Sequence, residues 1–289
     1  MAIAEKVNLQ VLRIKNLPSL SLANAKIIDA VNDPDISINE LVAVISVSPT
    51  LVARLLGLAN SAYFGYAGQV NDLKVAIVRV LGMDLVKSLA ISIIFNMELD
   101  AHKCSHFDAE RFWMTALLTA TLAHQYSHLI HDKDLDPGIV FTAGLLVNIG
   151  LIVAVYLLPE QTNLVFLNVE TNGGSVSKEM AELIGLDQYA LGGLLLKHWR
   201  LPAIYHTALK EFKNPDYSGE AGKLLHLLRL CSVLAQKVLS DQSADLQELI
   251  KQVQCFGLSA KQAQTVFDNI LARKESIYTA ALAIRGGVA

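Results

Sequence analysis

Twenty consecutive residues without a charged side chain, from Ile139 to Leu158, constrain the fold of this chain more than any other feature. A run of this length meets the criterion for a helix that crosses a bilayer. The charged residues beside the run are mostly acidic and supply no basic flank of the kind that orients a membrane span. Pro137 and Pro159 bracket the run at positions typical of a helix start and a helix stop. We therefore expect a buried helix inside a helical domain and no membrane span.

The rest of the chain carries the signals of further helices. Ser37 and Glu40 form a capping box, and Pro49 marks the start of the next helix. A further helix is predicted from Leu73, ending at Gly82. No hairpin dipeptide separates alternating segments, so the predicted fold class is all-α. Longer helices are expected over 107–129, 137–157 and 220–239.

The polar stretch His102–Asp108 is the best candidate for a boundary within the chain. It predicts an N-terminal helical subdomain over 1–105, a second helical subdomain over 106–240 and a C-terminal helical extension over 241–289. Because 53% of the residues are hydrophobic and 18% charged, the two bundles are expected to pack into one compact body. The extension is expected to pack on the core, with a partner surface as the alternative. Its apolar pattern consists of Leu246, Leu249, Ile250, Val253, Val266, Phe267 and Ile270.

Charge and cysteine content narrow the class of protein. The chain has 24 Lys and Arg against 27 Asp and Glu, without a basic run, so nucleic-acid binding is not expected. Cys104, Cys231 and Cys255 form no CxxC pair, which argues against a disulfide framework and a thiolate metal site. Cys231 and Cys255 are expected to be small core residues. A reducing cytoplasm fits this cysteine content best.

Histidines are the first candidates for chemistry. His124, His128 and His131 have the spacing of one helix face, and an HxxxH pair can hold a metal ion. The HExxH glutamate is absent and no third ligand can be named, so we expect a polar helix end. His102 and His106 form a second pair beside a polar turn, where exposed loop residues are expected. GxSxG, P-loop and GxGxxG motifs are also absent, and the residues alone indicate neither a catalytic set nor a cofactor.

Several longer motifs resemble one known family. The first half of the chain carries ANSAYFG at 59–65, after a DPD turn, and AIVRVLGMDLVKSLA at 76–90. The second half carries AGLLVNIG at 143–150 and GGLLLKHWRLP at 192–202. These motifs resemble the HDOD domain, the HD-related output domain, over about 17–239. The resemblance implies two packed helical bundles in one body, with an HD-superfamily helical core in the C-terminal part.

The resemblance also indicates where metal ligands would stand. HDOD domains are relatives of HD phosphohydrolases, whose active members bind a divalent ion through histidine and aspartate side chains that activate a water. The LLHDIG motif of the family corresponds to residues 145–150 here, so Val147 replaces histidine and Asn148 replaces aspartate. The histidine expected two residues after Trp113 corresponds to Thr115.

The remaining family positions are degenerate as well. The late aspartate corresponds to Ser232 or, with a shifted alignment, to Arg229, and Gln188 stands at a position that is often histidine. Because no ligand position is anionic or an imidazole, we expect neither a metal nor another cofactor. A vestigial small-ligand pocket is one alternative, and mutual hydrogen bonds within the core are the other. The candidate positions are Thr115, Val147, Asn148, Gln188 and Ser232.

The resemblance implies a role in bacterial signalling or regulation, because such domains often accompany response-regulator or second-messenger domains. The expected partner is an unidentified protein, and the residues themselves argue only that the domain is catalytically inactive. The alternative is a metal-dependent phosphohydrolase of the HD superfamily with atypical ligands, for instance His124 or His128.

Overall fold

The computed structural model describes residues 17–99, 104–241, 250, 252–253 and 255–286. Within these residues the regular structure is helical and contains no strand, which confirms the all-α prediction. The predictions for His102, Leu246 and Leu249 lie outside the described residues.

The N-terminal half begins with short helices whose ends follow from the sequence. They are α1 (Leu22–Val31), α2 (Ile38–Ile45), α3 (Pro49–Ala59), α4 (Leu73–Val75), a π-helix (Ala76–Leu81) and α5 (Met83–Glu98). The capping box before α2 is present, because the Ser37 N–H donates to Glu40 and the Glu40 N–H donates to the Ser37 hydroxyl. Pro49 is the first residue of α3, as expected.

The segment after α4 differs from the predicted α-helix. Its last hydrogen bond runs from the Gly82 N–H to the Ile77 carbonyl, five residues back, over 2.9 Å. Gly82 then leaves the helix with a φ of 80°, which a residue without Cβ adopts at no steric cost. The predicted end at Gly82 is therefore correct. The change from α to π geometry was not foreseen.

The C-terminal half is built around one long helix. Its elements are α6 (Ala109–Ile130), α7 (Pro137–Leu146), α8 (Ile149–Leu157), α9 (Pro159–Asn172), α10 (Val176–Leu183), α11 (Gln188–His198), α12 (Ala203–Lys210), α13 (Gly222–Leu239), α14 (Ala260–Ala272) and α15 (Lys274–Arg285). Helix α6 packs against α7, α13, α14 and α15. Its side chains are accordingly buried through most of its length, including Trp113.

The uncharged run forms two helices rather than one. Helices α7 and α8 are separated by a turn at Val147–Asn148, where the Leu151 N–H donates to the Asn148 carbonyl at 2.9 Å. In the described part of the chain, Pro137–Leu157 is the one segment long and apolar enough to cross a bilayer, and 78% of its most apolar stretch is buried inside the protein. The prediction of a single continuous helix over 137–157 was wrong at this turn.

The described part of the C-terminal extension is attached to both halves. The Tyr126 hydroxyl donates to the Ala263 carbonyl at 3.0 Å, and Arg54 donates to the Ile284 carbonyl at 3.0 Å. Five residues of its predicted apolar pattern are buried: Ile250, Val253, Val266, Phe267 and Ile270. The side chains of one hydrophobic core extend from Leu17 to Ile284, and the proposed subdomain boundaries remain predictions.

Candidate functional site

The five positions that the resemblance aligns with family ligands lie on four neighbouring parts of the C-terminal half. Thr115 lies on α6 and Ser232 on α13, Val147 and Asn148 form the turn between α7 and α8, and Gln188 begins α11. Aspartate caps fix the starts of two of these helices. The Asp108 carboxylate accepts a 2.9 Å hydrogen bond at the start of α6, and that of Asp187 accepts one of 2.8 Å at the start of α11. We call these five positions the ligand-position region.

Two glycines allow the helices of this region to approach each other closely. A Cβ added to Gly150 would lie 1.8 Å from the Gln188 carbonyl oxygen and 2.6 Å from the Gly192 nitrogen. A Cβ added to Gly144 would lie 2.5 Å from Cα of Ala120. Both neighbours are backbone atoms that cannot move aside, so only glycine fits. The first turn of α8 is thus held against the start of α11, which brings the segment after Asn148 next to Gln188.

The two hydroxyls of the region are used within their own helices. Thr115 Oγ1 donates to the Arg111 carbonyl at 2.7 Å, and Ser232 Oγ donates to the Leu228 carbonyl at 2.8 Å. Each bond reaches four residues back along the same helix, a common arrangement for hydroxyl side chains inside helices. Each hydroxyl hydrogen is therefore donated to a helix carbonyl and not to another member of the region.

Gln188 is the buried polar side chain of the region that has an unused hydrogen-bond acceptor. It is 6% exposed, and its Oε1 has no hydrogen-bond partner in the part of the chain that the structure describes. A buried acceptor without a donor costs about 1–3 kcal/mol. The neighbouring Tyr189 stacks on Phe212 with ring centroids 4.1 Å apart, and burial raises the pKa of Tyr189 to about 12. The ring that follows Gln188 in the chain is therefore packed against an aromatic neighbour.

Val147 and Asn148 differ in their exposure although they are consecutive. Val147 is fully buried, whereas Asn148 is half-buried and occupies the N-cap position of α8. The Asn148 side chain makes no capping hydrogen bond. The position that the resemblance aligns with the family histidine thus holds an aliphatic side chain in the core, and the one aligned with the family aspartate lies at a helix start.

The histidine candidates divide into two groups. His124 and His128 face each other near the end of α6, with their Nε2 atoms 3.3 Å apart. His131 ends that helix in a left-handed conformation with a φ of 51°. It lines a cleft together with Asp132 and Lys223, away from the other two histidines. His106 is exposed and its Nδ1 lies 3.9 Å from Glu170 Oε2, in line with the expected loop position. The structure therefore brings together two of the three clustered histidines.

The cysteines also differ from one another. Cys231 is fully buried and burial raises the pKa of its thiol, as expected for a core residue. Cys255 is exposed, so the prediction that it is a core residue was wrong. Its Sγ lies 3.5 Å from His226 Nε2 and donates to the Gln252 carbonyl at 2.8 Å. The apolar pattern around Cys255 did not reveal that its own side chain faces outward.

A family model described as HDOD domain matches residues 17–215, which is well over half of the chain. The chain belongs to the HDOD domain family. The match includes Thr115, Val147, Asn148 and Gln188, while Ser232 lies beyond its end. The assignment agrees with the motifs at 59–65 and 143–150.

This HDOD domain is similar to proteins from several bacteria. It is 27% identical over 216 residues to an uncharacterized protein of Treponema pallidum (strain Nichols), covering 74% of this chain and 40% of the relative. A crystal structure from Marinobacter aquaeolei VT8, for which a role in signal transduction has been suggested, matches with a TM-score of 0.78 and 25% identity over 97% of this chain and 66% of the other. A crystal structure from Shewanella amazonensis SB2B, for which phosphohydrolase activity has been suggested, matches with a TM-score of 0.77 and 22% identity over 95% of this chain and 97% of the other.

The chain spans less than two thirds of the length of the Treponema and Marinobacter proteins.

The residues of the ligand-position region do not fit a divalent metal ion. Hydroxyl, amide and isopropyl groups bring no negative charge and no imidazole to replace the hydration shell of the ion. Within the described residues, no three or more His, Cys, Asp or Glu side chains form a group that could hold a metal. No step of a metal-assisted reaction is therefore assigned to these residues of the HDOD domain.

One cleft of this HDOD domain was not identified from the sequence. It has a volume of about 990 Å³ and lies between the end of α6, the start of α13 and the extension. Lys223 bridges two carboxylates there, with Nζ 2.8 Å from both Asp132 and Asp134. These hydrogen bonds raise the pKa of Lys223 and lower that of Asp132. The DKD sequence at 132–134 was a visible signal, but its pairing with α13 depends on the tertiary structure.

Proposed function

We propose that this HDOD domain is a catalytically inactive regulatory module of bacterial signal transduction that acts through contacts with a protein partner. The observation that carries the proposal is the content of the ligand-position region, where neither a carboxylate nor an imidazole stands at any of the five positions. Hydrolysis by an HD-type site requires a metal-bound water of lowered pKa, and uncharged side chains hold such an ion poorly.

The packing of the region supports the proposal further. The hydroxyl hydrogens of Thr115 and Ser232 are used within their own helices, and Val147 belongs to the hydrophobic core. A reactive water would need polar side chains directed at a common point. The likeness to the Marinobacter protein, for which a role in signal transduction has been suggested, supports the regulatory part of the proposal.

The test combines metal analysis with an activity screen. The full chain, purified without added metal, is analysed for Mn, Fe, Zn and Mg and then assayed with phosphomonoesters and phosphodiesters in the presence of each ion. We expect no turnover above that of the Asn148→Ala variant measured in parallel. A stoichiometric metal together with turnover that Asn148→Ala abolishes would overturn the proposal and favour a phosphohydrolase with atypical ligands.

The regulatory part requires a partner and a separate measurement. The tagged chain is used to capture proteins from the native cell, and each candidate is then purified and titrated against the full chain by calorimetry. We expect at least one purified protein to bind stoichiometrically. Binding that disappears whenever both proteins are pure would count against a direct protein contact.

A second candidate function is the binding of a small ligand at Gln188. The observation that favours it is the buried Oε1 without a partner, which a donor group of a ligand would satisfy. Thermal unfolding of the full chain with nucleoside monophosphates and cyclic dinucleotides provides the test. A stabilisation that Gln188→Met removes supports this candidate, whereas equal stabilisation of both proteins excludes Gln188 as the contact.

A further inference from the structure

The pair His124 and His128 has a geometry that the proposed function does not use. The two residues lie one turn apart near the end of α6, and their rings meet edge to face with centroids 4.5 Å apart. Their Nε2 atoms lie 3.3 Å apart. One hydrogen bond can join the two atoms if one ring donates and the other accepts. If both nitrogens are unprotonated, both can instead bind one cation.

The distance agrees with chelation by two imidazoles. Zinc–imidazole bonds are about 2.0–2.1 Å long, and two such bonds that meet at a tetrahedral angle place their nitrogens about 3.4 Å apart. We propose that His124 and His128 form a two-histidine site for a divalent transition metal ion such as Zn²⁺, Ni²⁺ or Cu²⁺. Imidazole suits these ions, and water would complete their coordination.

His124 is prepared for this role by its surroundings. Its ring packs edge to face on Phe141, with centroids 5.7 Å apart, which limits its rotation. A ligand that is oriented before binding loses less entropy when the ion arrives.

His128 provides access from solvent. Its side chain is exposed and lies at the rim of a groove of about 460 Å³ between α6 and α14. Lys261 lines the same groove and opposes a cation, but it is exposed and therefore screened by water. The pair is therefore accessible from solvent on the side of His128.

The proposal concerns two protein ligands only. Since no group of three or more His, Cys, Asp or Glu ligands exists among the described residues, we expect weaker binding than at a four-ligand structural zinc site. The site is separate from the ligand-position region, and its test does not depend on whether the HDOD domain hydrolyses anything.

Calorimetric titration of the full chain provides the test. The protein is stripped with a chelator, dialysed and titrated near neutral pH with ZnCl₂, NiCl₂ or CuCl₂ alone. We expect one ion per chain, and a dissociation constant that rises roughly tenfold or more in His124→Gln and in His128→Gln. His198→Gln, which changes another exposed helical histidine, is expected to bind like the original chain. The unfolding midpoint of each variant is measured first, so that a loss of structure is recognised.

Electron paramagnetic resonance of the Cu²⁺-loaded protein gives a second readout, since nitrogen couplings from imidazole should weaken in either histidine variant. Cys255→Ser is included because the thiol near His226 offers a competing pair of ligands. The proposal fails if the original chain binds none of the ions, if both histidine variants bind as tightly as the original, or if Cys255→Ser alone removes binding.

Discussion

Helix α6 carries threonine hydroxyls along its first half and imidazoles near its end, and the two parts lie in different surroundings. Thr115 is buried, and its hydroxyl donates to a carbonyl of its own helix. Around His128 the helix reaches solvent, and two imidazoles face each other. Thr115, which the resemblance aligns with a metal ligand of the family, offers a hydroxyl and no imidazole. The imidazoles lie at the other end of the helix, where we propose a separate metal site.

The largest expected effect concerns the closed packing of the ligand-position region. Gly150→Ala places a Cβ against the Gln188 carbonyl oxygen and the Gly192 nitrogen, neither of which can yield without moving a helix. We expect a loss of about 3 kcal/mol or more in the free energy of unfolding, measured by denaturant titration.

The matched control is Gly57→Ala on α3. A Cβ at Gly57 meets nothing within 4 Å, so alanine should stabilise this helix position by about 0.5–1 kcal/mol. If both substitutions stabilise the chain, α8 and α11 are not in the close contact described.

The next largest effect on the free energy of unfolding is expected when histidine and aspartate are introduced one at a time at residues 147 and 148. Val147→His puts a polar ring into a fully buried aliphatic position and should cost about 2–3 kcal/mol. Asn148→Asp changes a half-buried N-cap to another favourable N-cap residue and should stay within about 1 kcal/mol of the original chain. Denaturant titration of both variants measures the contrast, and equal costs would contradict the difference in burial between the two positions.

A smaller effect is the pH dependence that His124 gives to the free energy of unfolding. The pKa of His124 is lowered from 6.5 in the unfolded chain to about 4 in the folded one, chiefly by burial. As the pH falls from 6.5 to 4, the unfolded state takes up a proton that the folded state refuses, so the free energy of unfolding decreases. Allowing for the partial exposure of the ring, we expect about 1–2 kcal/mol.

His124→Gln serves as the reference, because glutamine does not titrate in this range. Denaturant titrations with a chelator at several pH values should show the original chain losing stability relative to the variant as the pH falls. Parallel curves would mean that the pKa of His124 is not lowered by folding.

The smallest effect is expected in the loop that follows His131. Lys223 bridges Asp132 and Asp134, but the Lys223 side chain is 51% exposed, and exposed ion pairs contribute little. Lys223→Met should shift the denaturation midpoint only slightly, and the shift should disappear at high salt. A large shift that persists in salt would show that the cleft is more enclosed than the exposure indicates.

Much of the fold follows from local signals in the sequence. The capping box at Ser37, the proline at the start of α3 and the glycine after the π-helix each act through contacts within a few residues, and each is present. The turn at Val147–Asn148 was not predicted, because both residues lie inside an uncharged run whose pattern fits one helix. The π geometry of Ala76–Leu81 was missed for a similar reason, since its hydrophobic spacing also fits an α-helix.

The candidate site divides in the same way. The assignment of Thr115, Val147, Asn148, Gln188 and Ser232 to family positions requires only the sequence and stays a prediction. The exposure of Cys255 could not be predicted, because it depends on how the extension turns near His226. The use of the Thr115 hydroxyl within its own helix also had to be observed, because a rotamer and its neighbours decide it.

The sequence alone determined that this chain is helical and that it belongs among HDOD domains, while the replacement of the family's charged metal ligands stays a prediction from the motifs. These properties depend on residue identity and on short-range spacing. Only the tertiary structure decided that Gly150 closes α8 against α11, that Gln188 keeps a buried acceptor without a partner and that His124 and His128 face each other at 3.3 Å. Each of these features depends on residues that are far apart in the chain and pack together in the fold. Hydrophobic periodicity does not show which distant residues come into contact.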